Sequence, residues 1–283
     1  MNAKHKSLLE IHTAVLLFGL SGLFGKLIEL PAIMIVFGRV VFASGFLFLL
    51  LLYFNKPVRL ERARDYGYLL LMGILLAIHW STFFLSIQTA TVAVGLLTFS
   101  TFPVFVTFLE PYFFREKLTV ADMIVALITF LGVMLVIPAL AMDNSITRGV
   151  LWGILSGFTY ALLSMLNRKY AAAYSGAVIA FYGQLMAAIV LLPLWFWQKP
   201  AAKPADIMLL ALLGIVFTGI AHSLFINGLK NIRTQIAGII SCAEPVYGIV
   251  FATVILQEIP AVRELAGGAI ILGAVVYSTV KAK

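Results

Sequence analysis

The sequence predicts an all-α integral membrane protein, with ten transmembrane helices arranged as two inverted-topology five-helix repeats. Three observations carry this. Of 283 residues, 62% are hydrophobic and 11% charged, with a mean hydropathy of +1.06, whereas soluble chains run at roughly 45–50% apolar and about 25% charged. Apolar stretches recur along the whole chain at the length of about 20 residues that a helix needs to cross hydrocarbon. The sequence also nearly repeats itself at an offset of half its length, so that Pro103 falls on Pro245.

Charges, prolines and asparagines cut the apolar runs into spans at 10–30, 32–54, 66–87, 92–113, 119–140, 149–167, 176–197, 206–227, 234–256 and 260–280. The first follows Lys4 and Lys6 and imitates a signal peptide, but its apolar stretch is too long and lacks a small-residue cleavage site, so it reads as a retained helix. The second holds Arg39 within its apolar run. On the third, His79, Thr82, Phe83 and Ser86 share one helical face, with Trp80 adjacent. On the fourth, Ser100, Pro103, Thr107 and Glu110 do the same. Such a face belongs toward protein or water, either as a wall of a cavity that flexes at Pro103 or as a helix–helix contact beside a structural kink.

The sixth span contains Gly153-x-x-x-Gly157, a spacing that permits close helix approach, together with Phe158 and Tyr160. Trp152, Trp195 and Trp197 lie near span ends and suit an interfacial belt. Phe83, Trp80, Phe99, Phe158 and Tyr160 are expected deeper, as aromatic walls of a pocket for amphipathic molecules. The eighth span places Thr218 and His222 one turn apart. In the ninth, Glu244 precedes Pro245 and stands three residues from Ser241 and from Tyr247. Cys242 is the single cysteine, which rules out an intrachain disulfide.

The net charge of +8 marks topology rather than a nucleic-acid partner, because the basic residues form no stripe with interleaved aromatics. Ten spans put both termini on one side, where Lys4, Lys6, Lys56, Arg59, Arg62, Arg64, Arg115, Lys117, Arg168, Lys169, Lys230, Arg233, Lys281 and Lys283 fall. The other side receives Lys26, Arg148, Lys199, Lys203 and Arg263. By the positive-inside rule the termini are expected in the cytoplasm, in a multi-pass protein of the cytoplasmic (inner) membrane.

The repeat aligns without gaps: Pro103 with Pro245, Glu116 with Glu258, Ser81 with Ser223, Phe83 with Phe225, Lys26 with Arg168. It divides the chain into 1–142 and 143–283, and five spans per half invert the second half. Inverted repeats are typical of secondary transporters, which hold substrate near the midplane and alternate between two openings.

These residues resemble the EamA-type family of the drug/metabolite transporter superfamily. The likeness rests on Phe18-Gly19 with Lys26, on Pro103 followed by Arg115-Glu116-Lys117-Leu118-Thr119, and on Ala243-Glu244-Pro245-Val246 followed by Leu256-Gln257-Glu258. It spans essentially the whole chain. The resemblance implies ten helices in two repeats and export or uptake of amino acids and other small metabolites, with no ATP-binding part. The first half has Phe102-Pro103 where the second has Glu244-Pro245, so a role for the acid does not carry over symmetrically.

The expected function is alternating-access export of amino acids or related amphipathic compounds. The alternatives are uptake of another metabolite (a nucleoside, vitamin or organic cation), a channel, or an intramembrane serine protease suggested by Gly19-Leu20-Ser21-Gly22. Candidate substrate-binding residues are His79, Trp80, Phe83, Phe99, Ser100, Tyr160, His222 and Tyr247. Candidate coupling or gating residues are Glu110, Glu244, Pro103, Pro245 and Arg39, since ionisable groups within spans need a reason to be there. The histidines and Glu244 could move protons, or serve structure: a hydrogen-bonded imidazole, a carboxylate paired with Arg39 or capping backbone freed by the proline. Glu116 and Glu258, at span ends, read as salt-bridging or capping groups. The partners expected are a small-molecule substrate, membrane lipid and protons as a candidate coupling ion, with no catalysis, cofactor, metal or nucleic acid.

Overall fold

A computed structural model describes residues 3–281 except 57, 115–118, 138–140, 142, 172, 200, 233–236, 238–239 and 242, and omits the side chains at 110, 114, 122, 275 and 278–281. Cys242, Glu116 and Arg233 therefore lie outside the described residues.

The described chain is all helix and loop. The first half comprises α1 (Ala3–Ser21), the short α2 (Phe24–Leu27), α3 (Ala32–Tyr53), α4 (Ala63–Thr89), α5 (Val92–Phe99), α6 (Phe102–Phe114) and α7 (Val120–Val136). The second comprises α8 (Ser145–Ala171), α9 (Gly176–Gln198), α10 (Pro204–Gly214), a π-helical turn (Ile215–Ile220), α11 (Ala221–Gly228), α12 (Ala243–Phe251), a second π-helical turn (Ala252–Leu256) and α13 (Val262–Lys281). Among the described residues, seven helical stretches are long and apolar enough to cross a membrane: 3–27, 32–53, 63–89, 92–113, 145–171, 176–198 and 204–228. Shorter apolar helices at 123–136 and 243–256, with α13, fill the remaining places in the ten-helix order. Large apolar side chains such as Leu49, Leu127, Phe130, Met208 and Val254 face outward, as lipid rather than water requires.

The two halves match in space as well as in sequence. α13 starts at Val262, the repeat equivalent of Val120 where α7 starts. α4 packs on α8 as α11 packs on α1, and α6 packs on α8 as α12 packs on α1. α3 packs on its counterpart α9, and α7 on α13. That is the contact pattern of a two-fold axis running through the middle of the bundle.

Small residues set the closest approaches. A Cβ on Gly157 of α8 would lie 3.0 Å from the Phe99 carbonyl, and one on Gly19 of α1 would lie 2.7 Å from the Glu244 carbonyl. Helix starts are capped by nearby side chains. Thr91 accepts from Val94 N at 3.0 Å at the start of α5, and both carboxylate oxygens of Glu258 lie 3.2 Å from Val92 N. The capping role read for Glu258 is therefore the one it fills.

The fourth span is not one helix. It breaks at Ser100–Thr101, where Ser100 Oγ donates to Leu96 O at 2.8 Å and Thr101 Oγ1 to Thr98 O at 2.7 Å. Pro103 then sits in the first turn of α6, where its missing N–H costs nothing. The expected continuous face Ser100–Pro103–Thr107–Glu110 is thereby divided, and Thr107 Oγ1 turns back to Pro103 O at 3.1 Å.

Candidate functional site

On the two-fold axis lies a cavity of about 30 Å³ lined by Phe18, Ser21, Arg39, His79, Trp80, Phe83, Phe99, Tyr160, His222 and Glu244. That volume admits a water or two and nothing larger. The lining comes from α1, α3, α4, α5, α8, α11 and α12, so both repeats contribute. Two lining pairs are repeat equivalents: Phe18 with Tyr160, and Trp80 with His222. Trp80 and His222 meet across the axis with ring centroids 5.9 Å apart.

One wall is aromatic. His79 lies 4.8 Å from Tyr160 and 5.3 Å from Phe99 between ring centroids, and Phe99 stacks on Phe102 at 5.3 Å. The Gly153–Gly157 side of α8 lets that helix approach α4 and α5, which brings Ser156 onto His79. His79 Nδ1 is 3.1 Å from the Ser156 carbonyl and 2.8 Å from Ser156 Oγ, and Ser156 Oγ donates to His79 O at 3.0 Å. A carbonyl only accepts, so this geometry assigns the proton to Nδ1 and leaves Nε2 as an acceptor.

The other wall is polar. Arg39, 1% exposed, donates from Nε to Thr218 Oγ1 at 3.0 Å and lies with Cζ 3.8 Å from the Trp80 ring centroid. Thr218 reaches it because the π-helical turn displaces the backbone there, its own hydroxyl donating to Leu213 O at 2.8 Å. Gly214 permits the approach, since a Cβ there would stand 2.6 Å from Arg39 O. Glu244, in the first turn of α12, brings an acid to the same cavity.

Eight residues expected from the sequence thus meet here: His79, Trp80, Phe83, Phe99, Tyr160, His222, Arg39 and Glu244. Ser100, Pro103, Pro245 and Tyr247 are not part of the lining; Tyr247 packs beside α1, 3.0 Å from where a Gly19 Cβ would stand. The side chain of Glu110 lies outside the described residues. Phe158, expected deep, is 39% exposed and packs on Phe105, because its neighbours Gly157 and Tyr160 take the inward face of α8. Ser86 and Thr82 serve packing: Ser86 Oγ donates to Gly149 O at 2.6 Å and Thr82 Oγ1 to Ile78 O at 2.8 Å. Phe18 and Ser21 are lining residues the sequence reading did not single out for substrate. Phe18 was traceable, as the repeat partner of Tyr160. Ser21 Oγ donates to Phe18 O at 2.7 Å, and the serine that meets His79 is Ser156.

Bonds between the halves lie toward both ends of the helices. On the side of the termini, Tyr174 donates to Asp65 Oδ2 at 2.6 Å and accepts from Glu61 N at 3.2 Å. Its phenol is raised above the ordinary range, first by that bond to Asp65. Nearby, Tyr182 donates to Val58 O at 2.9 Å. On the far side, Lys203 pairs with Glu29, Glu29 N donates to Asp206 Oδ1 at 3.2 Å, and Glu258 holds Val92.

Known proteins agree with this architecture. The chain is similar to an uncharacterized transporter of Bacillus subtilis, 28% identical over 90% of this chain and 84% of that one. It is similar to an S-adenosylmethionine uptake transporter of Rickettsia conorii, 24% identical over 88% of this chain and 84% of that one. A solved crystal structure superposes with a TM-score of 0.70 at 19% identity, covering 98% of this chain and 97% of the other, which supports the fold. The pattern of the EamA-like transporter family matches twice, at residues 6–137 and 147–280, and the chain belongs to that family of membrane transporters.

Proposed function

We propose that the protein is a secondary active carrier that moves a small amphipathic organic metabolite across the cytoplasmic membrane by alternating access. The observation that carries this is a cavity lined by residues of both repeats, with bonds between the repeats toward either end of the helices. Alternating-access carriers hold substrate at such an interface between repeats and open it by moving one half against the other. The repeats divide at 142/143, and rocking of one half against the other opens each end in turn, with the break at Ser100–Thr101 and the paired Pro103 and Pro245 as the flexing points. His79, Trp80, Phe83, Phe99, Tyr160 and His222 form the substrate surface, and Glu244 is the candidate for proton coupling.

Amino acids and their derivatives suit an aromatic cavity that also holds one cation and one acid. The S-adenosylmethionine carried by the Rickettsia relatives is one such derivative. Import and export are the same cycle run in opposite senses, so the direction follows the gradient the carrier couples to. The termini and the loops rich in Lys and Arg face the cytoplasm.

Counterflow in proteoliposomes tests the proposal. Loaded amino acid or S-adenosylmethionine should drive transient accumulation of labelled substrate that saturates with concentration. Flux that never saturates and shows no counterflow would mean a channel instead. A reporter fused after Lys283 should read cytoplasmic and one in the 141–148 loop external; the reverse would overturn the orientation.

A further inference from the structure

The polar atom of the cavity wall that is buried without a partner among the described residues is Arg39 Nη1. The rest of that side chain is fixed. Nε is spent on Thr218, and the guanidinium plane is held over Trp80, with Phe84 5.4 Å away. Removing a cation from water costs several kcal/mol unless a partner repays it. Here the protein positions the group by three neighbours, and the side chain lines the cavity together with Glu244 while Nη1 has no hydrogen-bond partner among the described residues.

The repeat sharpens the point. Arg39 corresponds to Phe181 in the second half, and Glu244 corresponds to Phe102 in the first. The two-fold is therefore broken where charge is concerned. Arg39 and Glu244, with Thr218 bonded to Arg39, join His79, Phe99 and Tyr160 around one cavity. A molecule bound there is within reach of a guanidinium and of ring faces.

We propose that Arg39 is the carboxylate receptor of this carrier, so that its substrates are small organic acids or zwitterions bearing a planar carboxylate and an aromatic or apolar tail. A guanidinium matches a carboxylate in plane and charge, and an amide or alcohol in its place leaves the buried cation unpaired. The specificity belongs to Arg39 alone and rests on the reading that the central cavity is the transport site.

The test uses the full-length carrier in detergent and in liposomes. Matched probes differing only at the acid are compared by thermal stabilisation: 3-phenylpropionate with 3-phenylpropionamide, L-phenylalanine with L-phenylalaninamide, and L-tryptophan with tryptamine. At least one acid should stabilise the protein at a concentration tenfold or more below its partner. Arg39→Met should abolish that preference, and Arg39→Lys should retain part of it. Because Arg39 lacks a full set of partners, Arg39→Met without ligand should melt no lower than the parent. Equal stabilisation by acids and their neutral or cationic partners, or a preference that survives Arg39→Met, would overturn the proposal. Counterflow separates this from the carrier reading: probes exchanged without regard to the carboxylate leave a carrier with no carboxylate receptor, while absence of exchange for every probe removes the carrier itself. If Arg39→Met fails to fold, Thr218→Val, which frees the guanidinium from its anchor, should weaken the acid preference at least threefold; an unchanged preference counts against the proposal.

Discussion

Tyr174 is the bolt of the end that holds the termini, and Tyr174→Phe removes its hydroxyl alone. Two bonds go with it: the 2.6 Å donation to Asp65, a buried carboxylate, and the 3.2 Å bond from Glu61 N. A hydrogen bond to a charged group contributes about 1.5–3 kcal/mol. Water reaches this loop, so the net effect is smaller, about 1 kcal/mol. A difference of that size shifts the balance between the closed state and the state open at this end by roughly fivefold. The reporter is Ser21→Cys, a cavity-lining position, in a Cys242→Ala background. In the orientation proposed above, inside-out vesicles present the terminal side to a membrane-impermeant thiol reagent. Tyr174→Phe should raise the labelling rate of the introduced thiol from that side about fivefold and lower it from the opposite side. An unchanged rate, or equal acceleration from both sides, would refute the idea that this bond holds one end shut.

Three further outcomes follow from the geometry. Gly157→Val should lower the melting temperature and impair transport, because its Cβ would press on the Phe99 carbonyl from 3.0 Å beside the α5–α6 break, at a cost of about 1–3 kcal/mol; an unchanged melting curve would contradict it. Lys203→Ala, which cuts an ion pair whose side chains are 64% and 70% exposed, should leave the melting temperature within error in moderate salt. Glu258 has its carboxyl raised above the ordinary 4.5, first by burial, against the pull of the Val92 N–H and Lys26. The folded state thus holds that proton more tightly, so its contribution is full below about pH 4.5 and is lost as pH rises through the raised value. Glu258→Gln should therefore flatten the fall in the melting-temperature profile that sets in above about pH 4.5, and a profile parallel to the parent's would count against this.

The order of ten helical stretches was legible because length and hydropathy alone decide whether a segment can span hydrocarbon. The interruption at Ser100–Thr101 was hidden, since Val92 to Leu109 reads as one apolar run and Ser and Thr are tolerated in membrane helices by bonding to their own carbonyls. Arg39, Glu244, His79 and His222 were legible because hydrocarbon makes every ionisable side chain conspicuous. Ser156 was not: a serine in a glycine-rich helix carries no sign that it will meet an imidazole from another helix. Phe158 shows the limit of composition, since two aromatic residues two positions apart on a helix cannot both face the axis, and of the two only Tyr160 was named for the substrate surface. Tyr247 was picked for its distance from Glu244 along the chain, yet that spacing set it beside α1 instead of the cavity.

The π-helical turn at Ile215–Ile220 has a consequence for how the two halves correspond. Residue for residue the repeat has no gap, and Trp80 stays matched to His222. Yet a turn closed by i→i+5 bonds takes up one residue more than an α turn, so α10, which precedes it in the same span, is out of phase with its counterpart in α4 by one position, about 100° around the helix. The glycines record the slip. Gly73 is what lets α4 lie against α9, and its partner in the count is Ile215; the glycine that lets α10 lie against α3 is Gly214. Equivalence by counting and equivalence by position therefore part company upstream of the turn. An experiment that exchanges residues between the halves must shift by one there, and a single deletion within the turn would bring the helix back into step while swinging His222 away from Trp80.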